Sequence, residues 1–368
     1  MAFVSVCANA EPPLTVEAAR ALASQRPRYL RSLPYTPVPQ GLPDLRASTC
    51  GACHAEIYAE WKISTHARAW RDDLQFLAEL EKSEKQGVGW LCMNCHTPLE
   101  NQLPRLVAAL EGGRLDRPKY VDNPRFDPVL QEEAITCATC HVKDGVVRGP
   151  YGNAVAAPHK VVKAPELLTA EVCTQCHQAQ ARFDELNLIC VFDTGEEFAR
   201  SPQAKEGKVC QSCHMPEVSR PLLAGGPVVR KTRRHWFGGS LIPKKPEFVA
   251  ELAALAPHYP PGLAVTPAPL PAKLAPGTAL EWRVELENRE AGHYLPTGDP
   301  ERYLLVVLEA RDEAGKVLAR REEKIGIEYQ WHPVVKKLSD NRLAPREKRT
   351  LTLALTAPEA KTQALLAS

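Results

Sequence analysis

The chain has 368 residues, of which 44% are hydrophobic and 24% are charged, and its formal net charge is +2 at pH 7. These values exclude a disordered chain and a strongly basic nucleic-acid-binding domain, and the length suggests about two domains. No apolar run approaches the roughly 18 to 20 residues that a membrane-spanning helix needs, so no transmembrane segment is predicted.

The first ten residues are predicted to be the remnant of a secretion signal. Ala8-Asn9-Ala10 matches the small-x-small cleavage pattern, although a basic start is missing and the apolar stretch is short. The alternative is a lipoprotein anchored through Cys7, which the large Val6 before it disfavours. We therefore set residues 1–10 apart from the folded domains.

Ten of the twelve cysteines occur in five copies of the pattern Cys-x-x-Cys-His, where chance predicts about 0.01 copies. The paired cysteines are Cys50 and Cys53, Cys92 and Cys95, Cys137 and Cys140, Cys173 and Cys176, and Cys210 and Cys213. The histidines that follow them are His54, His96, His141, His177 and His214. In this signature two thiols bond to the vinyl groups of a haem and the adjacent imidazole binds its iron. The sequence therefore predicts five covalently attached haem c groups.

Structural zinc is the competing interpretation, because paired Cys-x-x-Cys knuckles can form Cys₄ sites. Five knuckles do not pair evenly, and a Cys₄ site does not need a histidine after every second cysteine. A disulfide framework is disfavoured because Cys-x-x-Cys closes a very short loop, which serves redox chemistry more often than stability. The leftover Cys190 is interpreted as a buried, inert thiol.

Residues 11–240 hold all five motifs and are predicted to form a mostly α or irregular multihaem cytochrome c domain. Secondary structure should be sparse, because roughly 46 residues per haem leave the porphyrins as most of the interior. Helical patterns cover residues 56–61 and 64–82, and Thr194-Gly-Glu-Glu197 resembles a capping box.

Each motif supplies one axial ligand, so five irons leave five further coordination positions. The predicted distal ligands are His66, His159, His235 and His293, and the fifth is open between His258 and His332. This supply of histidines favours bis-histidine haems, which are low-spin and suited to electron transfer. A basic cluster beside His235 is either a solvated face or a partner for haem propionates, and it comprises Arg230, Lys231, Arg233 and Arg234.

The C-terminal part of the chain changes from proline-rich to strand-like composition. Residues 241–276 predict a stiff, extended linker. Beyond it, apolar residues alternate with charged ones at the period of a half-buried strand, over 280–287 and again at 351–355. With further strand patterns at 303–308 and 316–320, residues 277–368 predict an all-β, immunoglobulin-like sandwich.

Three runs of the sequence resemble multihaem cytochromes related to the tetrahaem cytochrome of ammonia oxidisers and to hydroxylamine oxidoreductase. They are Cys50-x-x-Cys-His54 with Trp61-x-x-Ser64-x-His66-Ala67, Cys173-x-x-Cys-His177-Gln178, and Thr194-x-Glu-Glu197-Phe198-x-x-Ser201-Pro202 with Cys210 to Pro216. The resemblance spans residues 45–240, and Gly292-His-x-x-Pro-Thr-Gly298 is similar to β-domains appended to some members. It implies a periplasmic or extracellular electron carrier with closely stacked haems, although five motifs depart from the four or eight of relatives.

In some of these relatives one haem lacks a distal ligand, and by resemblance the group at Cys92, Cys95 and His96 is the first candidate for an open site. The leading hypothesis is an exported electron carrier that works between redox partner proteins. One alternative is a reductase or oxidase of small nitrogen or sulfur compounds at a five-coordinate haem. Another is a homo-oligomer or extracellular filament in which a histidine of one copy ligates a haem of the next. Haem propionates add negative charge, so nucleic acid is not an expected partner.

Overall fold

The structure of the chain is a computed structural model that describes residues 13–152, 157–183, 188–239, 243–312, 314–358 and 366–367. The predicted signal remnant and Cys7 lie outside the described residues. The chain separates into two compact units. The N-terminal unit comprises Met1–Leu168 and His214–Ala256, and the C-terminal unit comprises Thr169–Cys213 and Pro257–Ser368. The units differ from the predicted domains, whose boundaries were at residues 240 and 277. Residues 169–213 of the predicted cytochrome domain belong to the C-terminal unit, and the predicted linker is divided between the two units.

The helices are short, and α4 with 12 residues is the longest among those described. In chain order they are α1 (Val16–Ser24), α2 (Ala47–Gly51), α3 (Ala55–Lys62), α4 (Leu74–Lys85), α5 (Trp90–His96), α6 (Pro128–Glu132), α7 (Cys137–His141), α8 (Glu171–His177), α9 (Thr194–Ala199), α10 (Pro202–Lys205), α11 (Cys210–His214) and α12 (Val249–Leu255). Within the described ranges no helix has both the length and the apolar character needed to cross a membrane.

The strands form small sheets in the N-terminal unit and longer ones toward the end of the chain. They are β1 (Arg105–Leu110), β2 (Pro118–Asp122), β3 (Val142–Lys143), β4 (Val146–Gly149), β5 (Val161–Lys163), β6 (Ala179–Phe183), β7 (Leu188–Phe192), β8 (Glu217–Pro221), β9 (Val229–Arg233), β10 (Leu263–Pro267), β11 (Ala279–Asn288), β12 (Tyr303–Arg311), β13 (Val317–Gln330), β14 (Lys336–Asp340), β15 (Lys348–Thr356) and β16 (Leu366–Ala367). The hairpins β1–β2, β6–β7 and β8–β9 are antiparallel.

The five cysteine motifs lie on or beside short helices. Four of them occupy α5, α7, α8 and α11, each of which ends at the histidine of its motif. The first motif spans the end of α2 and the start of α3, where His54 is the N-cap residue. Residues three apart share a face of a helix, so each such motif holds its two thiols on one side of a single turn.

Two local predictions differ from the structure at a helix start. Helix α3 agrees with the pattern at 56–61, but residues 63–73 form turns and α4 begins only at Leu74. There the Asp73 carboxylate accepts the Phe76 N–H at 3.3 Å and caps the helix. The capping box at Thr194 does not form, because Asp193 is the N-cap residue of α9 and makes no side-chain cap hydrogen bond.

Two antiparallel sheets enclose the largest apolar core of the C-terminal unit. One has the strand order β10–β11–β15 and the other β14–β13–β12–β16. Alternation along β11 buries Trp282, Val284 and Leu286, while Leu308 and Ile325 contribute from the second sheet. Both sheets therefore share one core, as stacked sheets do. The immunoglobulin-like classification of this arrangement stays a prediction.

The segment predicted to be a stiff linker contains regular structure. Residues 249–255 form α12, and β10 pairs with β11 from Leu263 opposite Asn288 to Pro267 opposite Val284. Strand β10 lies at the edge of its sheet. An edge strand tolerates proline because its outer N–H groups need no partner, which explains how a proline-rich segment joins the sheet.

We predict that Leu286→Ala lowers the free energy of unfolding of the C-terminal unit by about 2 to 5 kcal/mol, because it leaves a cavity in the shared core. Leu286 is 1% exposed. The matched control is Leu305→Ala, which removes the same atoms from a side chain that is 51% exposed and should cost within about 0.5 kcal/mol. Urea denaturation of both variants measures the difference, and equal losses would contradict the shared core.

Candidate functional site

The ten motif cysteines are all described by the structure, and none of them is in a disulfide. Across the described ranges, no group of three or more His, Cys, Asp or Glu side chains is placed to hold a metal ion. Cys190 was predicted to be a buried thiol, and the structure places it half-buried in β7.

The motif histidines His54, His96, His141 and His214 each make the same kind of hydrogen bond, from Nδ1 to a backbone carbonyl. Nδ1 lies 2.9 Å from the Leu222 carbonyl in His54, 2.8 Å from the Ala69 carbonyl in His96, and 2.9 Å from the Arg148 carbonyl in His141. His214 makes the equivalent bond to the Gly238 carbonyl.

This hydrogen bond fixes the tautomer of each ring. A carbonyl oxygen only accepts, so Nδ1 carries the proton and Nε2 keeps the lone pair. Histidines that ligate metals are usually oriented in this way. Burial also lowers the pKa of His96, His141 and His214, which favours the neutral imidazole that binds iron. The residues present therefore fit a haem held by two thioethers and an axial imidazole nitrogen.

The structure brings His235 close to His141 within the N-terminal unit. Their ring centroids are 6.2 Å apart, with an angle of 34° between the rings. A metal about 2 Å from a nitrogen of each ring fits a centroid separation of roughly 6 Å. His235 also donates from Nδ1 to the Arg233 carbonyl at 2.8 Å, and burial lowers its pKa to about 3. The spacing and the tautomers of the two rings would therefore fit one iron held between them.

The other predicted distal ligands lie in more varied surroundings. His66 packs against Phe237 with a centroid distance of 4.3 Å, and His293 donates from Nδ1 to the Tyr294 carbonyl at 2.9 Å. Nδ1 of His159 is buried and has no hydrogen-bond partner in the described part of the chain. All three histidines are half-buried, whereas His258 and His332 are exposed. Because His258 and His332 are both exposed, their burial does not select either one as the fifth distal ligand.

The first cysteines of two pairs of motifs lie near each other. In the N-terminal unit, Cys137 is close enough to Cys50 to lower the pKa of the Cys50 thiol. In the C-terminal unit, Cys173 lowers the pKa of the Cys210 thiol in the same way. The attachment points of the first and third motifs are thus neighbours, as are those of the fourth and fifth.

A buried ion cluster holds the segment that carries His235. The Glu60 carboxylate accepts hydrogen bonds from Arg220 at 2.9 and 3.2 Å, from Arg234 at 2.9 Å, and from the backbone N–H of His235 at 2.7 Å. The side chains of Glu60 and Arg220 are 8% and 6% exposed. Every oxygen of this carboxylate is satisfied, which is the condition under which a buried charge is tolerated.

The basic cluster at 230–234 is mostly paired with protein groups. Arg234 binds Glu60, Lys231 lies 3.7 Å from Glu217, and Arg233 donates to the Met215 carbonyl at 3.0 Å. The sequence does not reveal Glu60 as a partner, because it lies 174 residues before Arg234 and matches no motif. The only local signal is the acidic character of α3, which is typical of many surface helices.

The comparisons with known proteins give one match. Residues 49–111 match the family model described as cytochrome c554 and c-prime. This segment contains the first two Cys-x-x-Cys-His motifs and covers well under half of the chain. Searches of the curated proteins and of the solved structures found no match. The family match supports a c-type cytochrome that carries electrons through covalently bound haem.

We predict that Glu60→Gln lowers the free energy of unfolding by about 3 to 5 kcal/mol, because it removes the buried carboxylate charge that the Arg220 and Arg234 guanidinium groups share. The control is Glu132→Gln, whose carboxylate lies 2.6 Å from Arg71 with both side chains about half exposed. That change should cost about 0 to 1 kcal/mol. Urea denaturation of the haem-loaded variants tests this, and similar losses in both would show that Glu60 is not part of a buried cluster.

Proposed function

We propose that the chain is an exported electron carrier with five haem c groups, held by the five Cys-x-x-Cys-His motifs. When bound, each haem supplies an iron that cycles between the ferric and ferrous states by one electron. The protein contributes the attachment points, the axial ligands and the charges around them.

The proximity of cysteines from different motifs carries this proposal. Electron transfer between cofactors weakens steeply with distance, so a carrier must hold its groups close together. Cys50 lies near Cys137, and Cys173 lies near Cys210, so attachment points from separate motifs are neighbours. Electrostatic coupling of His54 to His141 agrees with the proximity of the first and third motifs. This arrangement supports transfer between neighbouring groups rather than isolated sites.

The ligand geometry supports bis-histidine coordination for the third motif. The ring centroids of His141 and His235 are 6.2 Å apart, and the Nδ1 atom of each ring is hydrogen-bonded to a backbone carbonyl, which supports the proposal that both would hold one iron. A coordination sphere filled by the protein leaves no position for a substrate. For this motif, electron transfer is therefore favoured over catalysis.

A reductase or oxidase is the second candidate, and one observation favours it. Five irons need five distal ligands, while the half-buried histidines outside the motifs are His66, His159, His235 and His293. One iron would then be open unless an exposed histidine reaches it. By resemblance to relatives, the second motif, with Cys92, Cys95 and His96, is the candidate for that open iron.

We further propose a periplasmic or extracellular location, redox proteins as donor and acceptor, and a relation to hydroxylamine oxidoreductase. The location follows from the chemistry, because haem is ligated to such thiols outside the cytoplasmic membrane in bacteria. A filament joined by histidines of neighbouring copies stays an alternative, which electron microscopy at high protein concentration would test.

We predict that the ferric wild-type protein is wholly low-spin by electron paramagnetic resonance, and that His235→Ala converts one of the five irons to high spin. The reason is that His235 supplies the sixth ligand of the third motif. Added imidazole should restore the low-spin signal, because it refills the position left by the side chain.

The matched control is Lys231→Ala on β9, whose side chain is 76% exposed and should leave the spectrum unchanged. A stoichiometric high-spin signal in the wild type would favour the enzyme over the carrier. An unchanged spectrum in His235→Ala would remove His235 from the ligand set.

A further inference from the structure

A cavity of about 570 Å³ lies in the N-terminal unit, beside the helix of the second motif. It is enclosed by α1, the segment 26–32, one side of α5, and the hairpin β1–β2. Among the described residues that line it there is neither a cysteine nor a histidine. It is therefore not the attachment point of any predicted haem, and its volume is in the range of small-molecule sites.

The cavity lies behind the helix that carries the second motif. Trp90, Met93 and Asn94 of α5 line it. Successive residues of a helix are about 100° apart, so Cys92 and Cys95 point to the other side of α5. The thiols and the cavity thus occupy opposite faces of one seven-residue helix.

The charged side chains that line the cavity are predominantly cationic. The five arginines are Arg20, Arg26, Arg31, Arg105 and Arg117, and the three acids are Glu84, Glu100 and Asp116. Arg20 is paired with Glu100 at 2.6 Å, and the guanidinium of Arg105 lies 4.6 Å from the ring centre of Tyr120.

Arg26 and Arg31 carry the unsatisfied donors. The Nε atom of each is buried and has no hydrogen-bond partner within the described residues. A buried donor without a partner is costly, and structures rarely keep one without a reason. An anion in the cavity would supply the acceptor, and guanidinium groups suit carboxylate, sulfonate and phosphate oxygens.

The remaining walls are apolar. Leu22, Leu30 and Leu106 line the cavity together with Met93. The indole N–H of Trp90 donates to the Leu115 carbonyl at 3.1 Å, which fixes the orientation of its ring. A thioether and a fixed aromatic ring are favourable contacts for an aromatic or aliphatic body.

We propose that this cavity binds an organic anion, with its acidic group held by Arg26 and Arg31 and its apolar body packed against Trp90 and Met93. The proposal goes beyond electron transfer and does not depend on it, because the described lining includes none of the motif cysteines or histidines. The chain would then have a small-molecule site one helix away from the second motif.

The experiment is isothermal titration calorimetry on the haem-loaded full chain with three probes of similar size: 1-naphthoate, 1-naphthalenesulfonate and the neutral 1-naphthalenemethanol. Both anions should bind at least about tenfold more tightly than the neutral alcohol, and their affinity should fall with added salt. The double variant Arg26→Gln/Arg31→Gln should lose at least about tenfold for the anions and little for the alcohol.

The matched control is Arg71→Gln, which removes the same charge from a surface ion pair outside the cavity and should leave binding unchanged. Arg31→Lys, which keeps the charge, provides a milder variant should the double variant fail to fold, and it should weaken the anions selectively. Equal affinity for all three probes, or no binding by the wild type, would overturn the proposal. If the purified chain carries no haem but still binds the anions, the proposed electron-carrier function is contradicted and the proposed anion site is not.

Discussion

The hydrogen bond from a histidine Nδ1 to a backbone carbonyl is the interaction on which the proposed sites depend. Without it an imidazole next to two cysteines is free to rotate and to exchange its tautomer. With it, Nε2 is left as the donor atom and the ring plane is fixed. The bond is made by His54, His96, His141 and His214, whose acceptors lie between 7 and 168 residues away. The chain must therefore be folded for each motif to present its ligand.

The buried cluster around Glu60 holds the chain segment that carries His235. Its carboxylate joins α3 to the segment of Arg234 and His235, and so links the neighbourhood of the first motif to the partner of His141. A buried ion pair is stable only when every charge is compensated. The geometry around His235 thus depends on residues that do not contact its imidazole ring.

The sequence predicts those parts of the site that are local in the chain. The motif spacing fixes the thiols and the proximal histidine within one helical turn, and alternation reveals β11 and its buried face. The sequence cannot supply the acceptor carbonyls, because any backbone offers the same group and only the fold selects one. Glu60 was missed for a similar reason, since a single acidic residue on a short helix has no distinguishing pattern.

The structure also differs from the sequence-based predictions at the edge strand β10 and at the start of helix α4. The proline-rich composition predicted a linker in the segment where β10 joins the sheet. Proline disfavours a central strand but is tolerated in an edge strand, and composition does not show which position a strand takes in its sheet. Helix α4 begins late because Asp73 competes as a cap within an otherwise helical pattern. The sequence does not reveal the cavity beside α5, since its arginines come from α1, the segment that follows α1, β1 and the residue before β2, which meet only in the fold.

The central claim is that haem is bonded to all ten paired thiols. Intact-mass measurement combined with a pyridine haemochrome assay on the exported protein tests it most directly. The account predicts the mass of the mature chain plus five haems and five haem equivalents per chain. A colourless protein with the mass of the bare polypeptide would contradict it.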